Sequence, residues 1–257
     1  MPRGEAELER ARTRRSADGL GHRRTEKISE VLAREIVHDM RSLPPSTMLP
    51  PEAVMLDKYR VGRASLREAL RILEVQGLIV IRPGPGGGPM VAAVDSRHFA
   101  RMASLYFHLS AATYRDIVEA RLVMEPVMAR LAAERQVPES LSALEQYISA
   151  PGGPADDSSY LKNATGFHSL LSGLSSNPVL DLMGRSLKDI YTDRLEGLIF
   201  PPEARSRVEQ DHAAIAKAIL RGASTRAERL MRDHMVDFVK RAQERNPGVL
   251  DEIVDWH

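Results

Sequence analysis

Residues 49–91, LPPEAVMLDKYRVGRASLREALRILEVQGLIVIRPGPGGGPMV, decide the fold class. Over residues 63–76, Leu66, Ala69, Leu70 and Leu73 recur at the i, i+3, i+4, i+7 spacing of an amphipathic helix. A second face carries Arg63, Arg67 and Arg71 at i, i+4 and i+8. Upstream, residues 51–59 predict a short helix burying Val54, Met55 and Tyr59, and Arg60-Val61-Gly62 supplies the turn. Gly62 is an acceptable N-cap, though not the best one. After Gln76-Gly77, a helix stop, the β-branched run Leu78–Ile81 predicts a strand. Pro83–Pro89 cannot be helical, and Met90-Val91-Ala92 can return as the partner strand. Two helices, a sharp turn and a Gly/Pro-tipped hairpin sum to a winged helix-turn-helix.

Three guanidiniums one helical turn apart can meet phosphates or the O6/N7 edge of guanine. A helix entering the major groove end-on presents the more N-terminal of them to bases. Ser65 is small enough to allow close approach. A lone arginine stripe is more often the solvated face of an ordinary helix. The wing and the upstream helix turn this one into a candidate for reading double-stranded DNA.

The chain has 257 residues and is 43% hydrophobic, enough for a small DNA-binding module and a larger helical core. No stretch approaches a membrane span, and the N-terminus lacks the apolar region of a signal peptide, so neither membrane insertion nor export is expected. Zero cysteines exclude disulfides and thiolate metal sites and fit a cytoplasmic location without establishing it. The net charge of +1 is silent on DNA binding; its distribution is not. Arg3, Arg10, Arg12, Arg14, Arg15, Arg23, Arg24 and Lys27 make the amino-terminal segment basic. Residues 1–24 read as a flexible arm, either lying along phosphates or an extension without function. From Lys27 the pattern Ile28, Val31, Leu32, Ile36 predicts a helix to Met40, ended by Pro44-Pro45.

Beyond the wing the pattern becomes helical throughout, with candidate helices over 96–110, 114–135, 138–149, 158–174, 178–198, 202–220 and 223–245. Thr113 with Asp116 reads as a capping box, Pro138 and Pro202 sit in first turns, and Gly222 can end the sixth of these helices. Residues 150–157, APGGPADD, are the clearest internal loop. The expected fold is mainly α. A winged domain over 25–94 precedes an all-α bundle over 95–245 and a C-terminal tail over 246–257. Within the bundle His168, His212 and His234 each lie among apolar residues of a helix. Any one alone reads as a hydrogen-bonded core histidine, but His212 and His234 fall on consecutive antiparallel helices and could face each other.

The run Leu49-Pro50-Pro51-Glu52, the run Val61–Leu70, Leu73-Glu74 and Gly77-Leu78-Ile79 together resemble the DNA-binding domain of GntR-family bacterial regulators. In the FadR branch, that resemblance implies operator contacts by Arg63 and Arg67, with Ala64, Ser65 and Gly84 close to DNA. Ala53 departs from the family, which often has Arg there, and so leaves base preference open. Residues 119–126, Phe167-His168, Asn177-Pro178, Asp211-His212 and His234 resemble the FCD effector domain of the same branch. That resemblance implies a divalent transition metal, zinc or nickel, on His168, His212 and His234, together with a carboxylate one turn before the first histidine. Here that position is Ala164, and Asn163 is about 100° out of phase. Two outcomes stay open: an open three-histidine metal site, or histidines that polarise a metal-free pocket. The resemblance also implies a small organic acid or acyl effector. Arg121, with Glu119 nearby, is the candidate carboxylate partner; an Arg121–Glu125 ion pair at i+4 is the competing reading.

These expectations describe a homodimeric, ligand-responsive repressor on a short palindromic operator. An architectural DNA-binding protein without effector is the alternative. A metal-dependent hydrolase is disfavoured, because no HExxH, nucleophile elbow or helix-opening glycine loop is present.

Overall fold

The computed structural model describes residues 27–93, 95–149, 157–195 and 202–256. The basic arm over 1–24, most of the 150–157 loop and the predicted helix end at 196–198 lie outside the described residues. The chain divides into two compact units, Met1–Val94 and Asp95–His257.

The first unit is a winged helix-turn-helix. Helix α1 (Ile28–Met40) turns Leu32, Ala33, Ile36 and Met40 inward. Helix α2 (Glu52–Tyr59) buries Met55, whereas Val54 is 52% exposed, contrary to the sequence expectation. Adjacent residues differ by about 100° around a helix, so an eight-residue helix has room for one inward row, and Met55 takes it. Arg60, in the left-handed region at φ 51°, makes the turn into α3 (Arg63–Val75). This helix ends at Gly77, whose φ of 70° allows Leu78 N–H to reach Leu73 O and Gly77 N–H to reach Glu74 O, both at 2.9 Å. That paired closure is a Schellman motif and needs the freedom of glycine at this position. Strands β1 (Ile79–Arg82) and β2 (Gly88–Val91) pair antiparallel, Ile79 opposite Val91 and Arg82 opposite Gly88. The segment before α2 runs along β2, with Leu49 N–H to Pro89 O and Val91 N–H to Thr47 O.

The second unit is all α. It comprises α4 (Ser96–Leu109), α5 (Tyr114–Arg135), α6 (Pro138–Ser149), α7 (Asp157–Leu174), α8 (Pro178–Leu195), α9 (Pro202–Leu220) and α10 (Ser224–Arg245). The mainly α fold class expected from the sequence is the one observed. Thr113 and Asp116 form the reciprocal capping box at the start of α5, with Thr113 N–H donating to Asp116 Oδ2 at 2.7 Å. Gly222, at φ 66°, closes α9 as Gly77 closes α3. The core runs along α5 and α10 through Val118, Met128, Ala132, Met231, Met235 and Phe238. Residues after 245 are not a separate tail: Val249, Leu250 and Val254 are buried in this core, and Val254 N–H donates to Ala112 O at 2.9 Å. Burial of these three apolar side chains offsets part of the conformational freedom that the segment gives up. No described helix is long and apolar enough to cross a membrane.

Candidate nucleic-acid interface and histidine site

In the first unit, α3 separates its two faces cleanly. Leu66, Ala69, Leu70 and Leu73 are buried, while Arg63, Arg67 and Arg71 are exposed. Ala64 is exposed and Ser65 half-buried at the amino-terminal turn, so neither blocks approach to that end. Arg67 Nε lies 3.5 Å from Glu52 Oε1, yet its side chain remains 72% exposed. Arg63 and Arg71 have no ion pair among the described residues. The wing bends back through Gly84 (φ 92°) and Gly86 (φ 77°), and a Cβ on Gly87 would collide with the Arg82 carbonyl oxygen. Between α3 and the wing lies a groove of ≈ 770 Å³. Met48, Met55 and Leu70 contribute to its lining together with Arg67, Arg71 and Gly86. A cationic helix edge beside a narrow glycine tip is the combination that phosphates and groove walls can meet.

In the second unit, α7, α9 and α10 bring His168, His212 and His234 together, 7%, 1% and 3% exposed. One ligand nitrogen from each lies within 4.8 Å of the others. His212 Nε2 and His234 Nε2 are 3.2 Å apart. Two nitrogens on a tetrahedral zinc stand about 3.3 Å apart, given bonds of about 2.0–2.1 Å. The opposite ring nitrogens face outer partners. His168 Nδ1 is 2.5 Å from Glu125 Oε2, His212 Nδ1 is 3.1 Å from Tyr147 Oη, and His234 Nδ1 is 3.6 Å from Asp211 Oδ2. The first two contacts hold Nδ1, fix those rings and leave Nε2 as the donor, the arrangement that outer groups give metal-ligating histidines, whereas His234 Nδ1 is buried without a hydrogen-bond partner. Burial first, then the neighbouring His234 and His168, holds His212 well below its ordinary pKa. Burial also lowers His168, against the pull of Glu125. Both rings are therefore neutral donors at neutral pH. The trio can hold a metal ion with open positions. Asn163 is exposed and Ala164 is buried and apolar, so neither of them supplies a fourth ligand.

The carboxylate at this site comes from elsewhere. Glu125 on α5 is 3% exposed and bridges His168 to Arg121, whose Nε donates to Glu125 Oε1 at 2.6 Å. Burial disfavours the Glu125 anion, but the Arg121 charge and then His168 outweigh it and hold its pKa low. The competing i+4 ion pair is thus present, with Arg121 engaged by Glu125 and stacked 4.7 Å over Tyr191. Glu119 is exposed and does not join the cluster. Two residues are about 200° around a helix, so Glu119 and Arg121 cannot share a pocket face. A cavity of ≈ 10 Å³, bordered by Arg121, Thr165, His168, Lys188 and Tyr191, has room for about one water. The overlooked signal for Glu125 was phase. Val118, Arg121, Glu125, Met128 and Ala132 form one inward stripe of α5, with two charges in its middle.

Residues 26–87 match the gntR family of bacterial regulatory proteins, and residues 116–237 match the FCD domain. The chain belongs to the GntR family. This GntR-family regulator is 28% identical over 217 residues to the HTH-type transcriptional regulator Mce2R of Mycobacterium tuberculosis, covering 81% of this chain and 87% of that one. It is 25% identical to the HTH-type transcriptional repressor NanR of Edwardsiella tarda, over 81% of this chain and 83% of the relative. The solved Streptococcus agalactiae GntR shares its fold, with a TM-score of 0.60 at 23% identity, over 82% of this chain and 99% of that chain.

Proposed function

We propose that this GntR-family regulator is a repressor that binds a short palindromic operator as a homodimer and loses or gains DNA affinity when a small organic acid or acyl effector enters its helical unit. The observation that carries the reading is the exposed Arg63, Arg67, Arg71 edge beside the glycine wing. Arg63 and Arg67 read bases or phosphates in the major groove, Ala64 and Ser65 permit close approach, Arg71 meets phosphate, and Gly84 follows the minor groove. Two-fold symmetry of the protein requires a two-fold site. The repressor named NanR among its relatives favours repression as the output. His168, His212 and His234 hold a divalent transition metal, zinc or nickel, which supplies open coordination positions for an oxygen ligand when bound. This chain's own part is to orient the His168 and His212 rings through Glu125 and Tyr147 and to keep water away by burial. The effector acts by binding one arrangement of the protein better than another.

Selection of the full-length protein on a randomised duplex pool tests the DNA reading. Enrichment of a two-fold symmetric motif is expected; recovery of no motif would remove it. Metal analysis after zinc or nickel supplementation tests the trio. Stoichiometric metal in the native protein and none in His212→Ala is the expected result, and absence of metal in both would remove the metal.

A further inference from the structure

Helix α4 is apolar on two sides. Ala100 and Ser104 are buried, Ala103 and Phe107 pack against the core of the helical unit, and Ser96 Oγ donates to Asp189 Oδ2 of α8 at 2.6 Å. Those contacts seat the helix in its own unit. Yet Phe99, Met102, Tyr106 and Leu109 stand outside that seat, 40%, 49%, 66% and 74% exposed. A surface helix ordinarily turns polar residues toward solvent. Four large apolar side chains on the outer side of one 14-residue helix form a face suited to being covered.

The spacing says what covers it. From Phe99 the positions advance by three, four and three residues, the a, d, a, d steps of a coiled-coil seam. At about 100° per residue the four fall within an arc of about 80°, and Arg97 and Arg101 lie outside it. The order of steps is the same from either end. An antiparallel copy of the helix therefore brings Phe99 opposite Leu109 and Met102 opposite Tyr106, with every position of the seam matched. That is the condition of an isologous two-fold contact, in which residue i meets j and j meets i. An unrelated partner would place no such demand on the sequence. The antiparallel sense also sets unlike ends of the two helix dipoles side by side.

We infer that this face of α4 is a contact between two copies of the chain, the helices antiparallel across a two-fold axis that passes between Met102 and Tyr106. The contact rests on the homodimer reading above, to which it adds the surface and the pairing.

Sedimentation velocity of the full-length protein is the first measurement. The native chain should be dimeric at micromolar concentration. Tyr106→Glu alters a side chain already exposed in the single chain and should keep the fold, which circular dichroism checks. It should raise the dimer dissociation constant on the order of 30-fold or more, because a carboxylate buried without a partner opposes association. Cross-linking tests the direction, and decides alone if that variant does not fold. The chain has no cysteine, so introduced thiols report without background. Phe99→Cys with Leu109→Cys in one chain should give a covalent dimer on mild oxidation, and Phe99→Cys alone should not. The two positions are about 15 Å apart along one helix, too far for a bridge within a chain. If the native protein is dimeric, either a folded Tyr106→Glu variant that stays dimeric or a doubly substituted variant that gives no covalent dimer overturns the α4 contact and leaves the homodimer reading standing. A covalent dimer from Phe99→Cys alone overturns the antiparallel pairing, and a monomeric native protein overturns both the contact and the homodimer.

Discussion

The same ion pair occurs in both units with opposite consequences. In the winged unit Arg67 meets Glu52 at 3.5 Å, with side chains 72% and 40% exposed. In the helical unit Arg121 meets Glu125 at 2.6 Å, with side chains 3% and 4% exposed. Water screens the first pair, so it contributes little and either partner can be exchanged. The second pair has given up its hydration, and each member now depends on the other. A surface built to trade its own acid for a phosphate needs the first kind of pair. A site built to keep three imidazoles in fixed orientation needs the second.

The sharpest way to break this comparison is Glu125→Ala, which leaves Arg121 and His168 buried without their shared anion. The expected cost is about 3–5 kcal/mol of stability in urea unfolding. A loss under about 1 kcal/mol would mean that the buried pair is no more committed than the exposed one. Acid titration of the metal-free protein probes the same group without mutation. Glu125 has a depressed folded pKa, so its contribution is present above the ordinary carboxylate range and is lost as pH falls through the folded value. His168 and His212 are also depressed, with burial the first cause, and so favour the folded state less as pH drops below their ordinary value of 6.5. Stability measured by urea midpoint should therefore be level above about pH 7 and fall in two stages, first from the imidazoles and then from Glu125. A midpoint that rises on acidification would contradict both assignments.

On the exposed side, Arg63→Ala is expected to reduce discrimination between a selected operator and a scrambled duplex by about 1–3 kcal/mol. Fluorescence anisotropy at fixed salt measures it, and unchanged discrimination would assign Arg63 to the phosphates alone.

Legibility follows the same divide. Every inward residue of α3 was readable from spacing, because Leu66, Ala69, Leu70 and Leu73 repeat within one helix. The Thr113–Asp116 box was readable for the same local reason, and Thr113→Ala should cost about 1 kcal/mol in thermal unfolding. Glu125 was not readable as the site's carboxylate, because its partner His168 lies 43 residues away on another helix. Its i+4 relation to Arg121 was visible, but spacing within a helix cannot say that both charges are buried. Val54 and the segment around Leu250 failed for a related reason. Whether an apolar side chain is covered depends on a neighbour that only the tertiary fold supplies.

The smallest expected effect tests the exposed pair itself. Glu52 lies beside Arg67 and borders the groove between α3 and the wing, so in the free protein it both occupies the guanidinium and repels an approaching phosphate. Glu52→Gln removes both effects. It is expected to tighten binding to an arbitrary duplex by less than about 1 kcal/mol, with the gain shrinking as salt is raised. The opposite sign would carry a different meaning. If Glu52→Gln weakens binding, the carboxylate's main effect is to hold Arg67 in the orientation that DNA requires, and the exposed pair would be a positioning device like its buried counterpart.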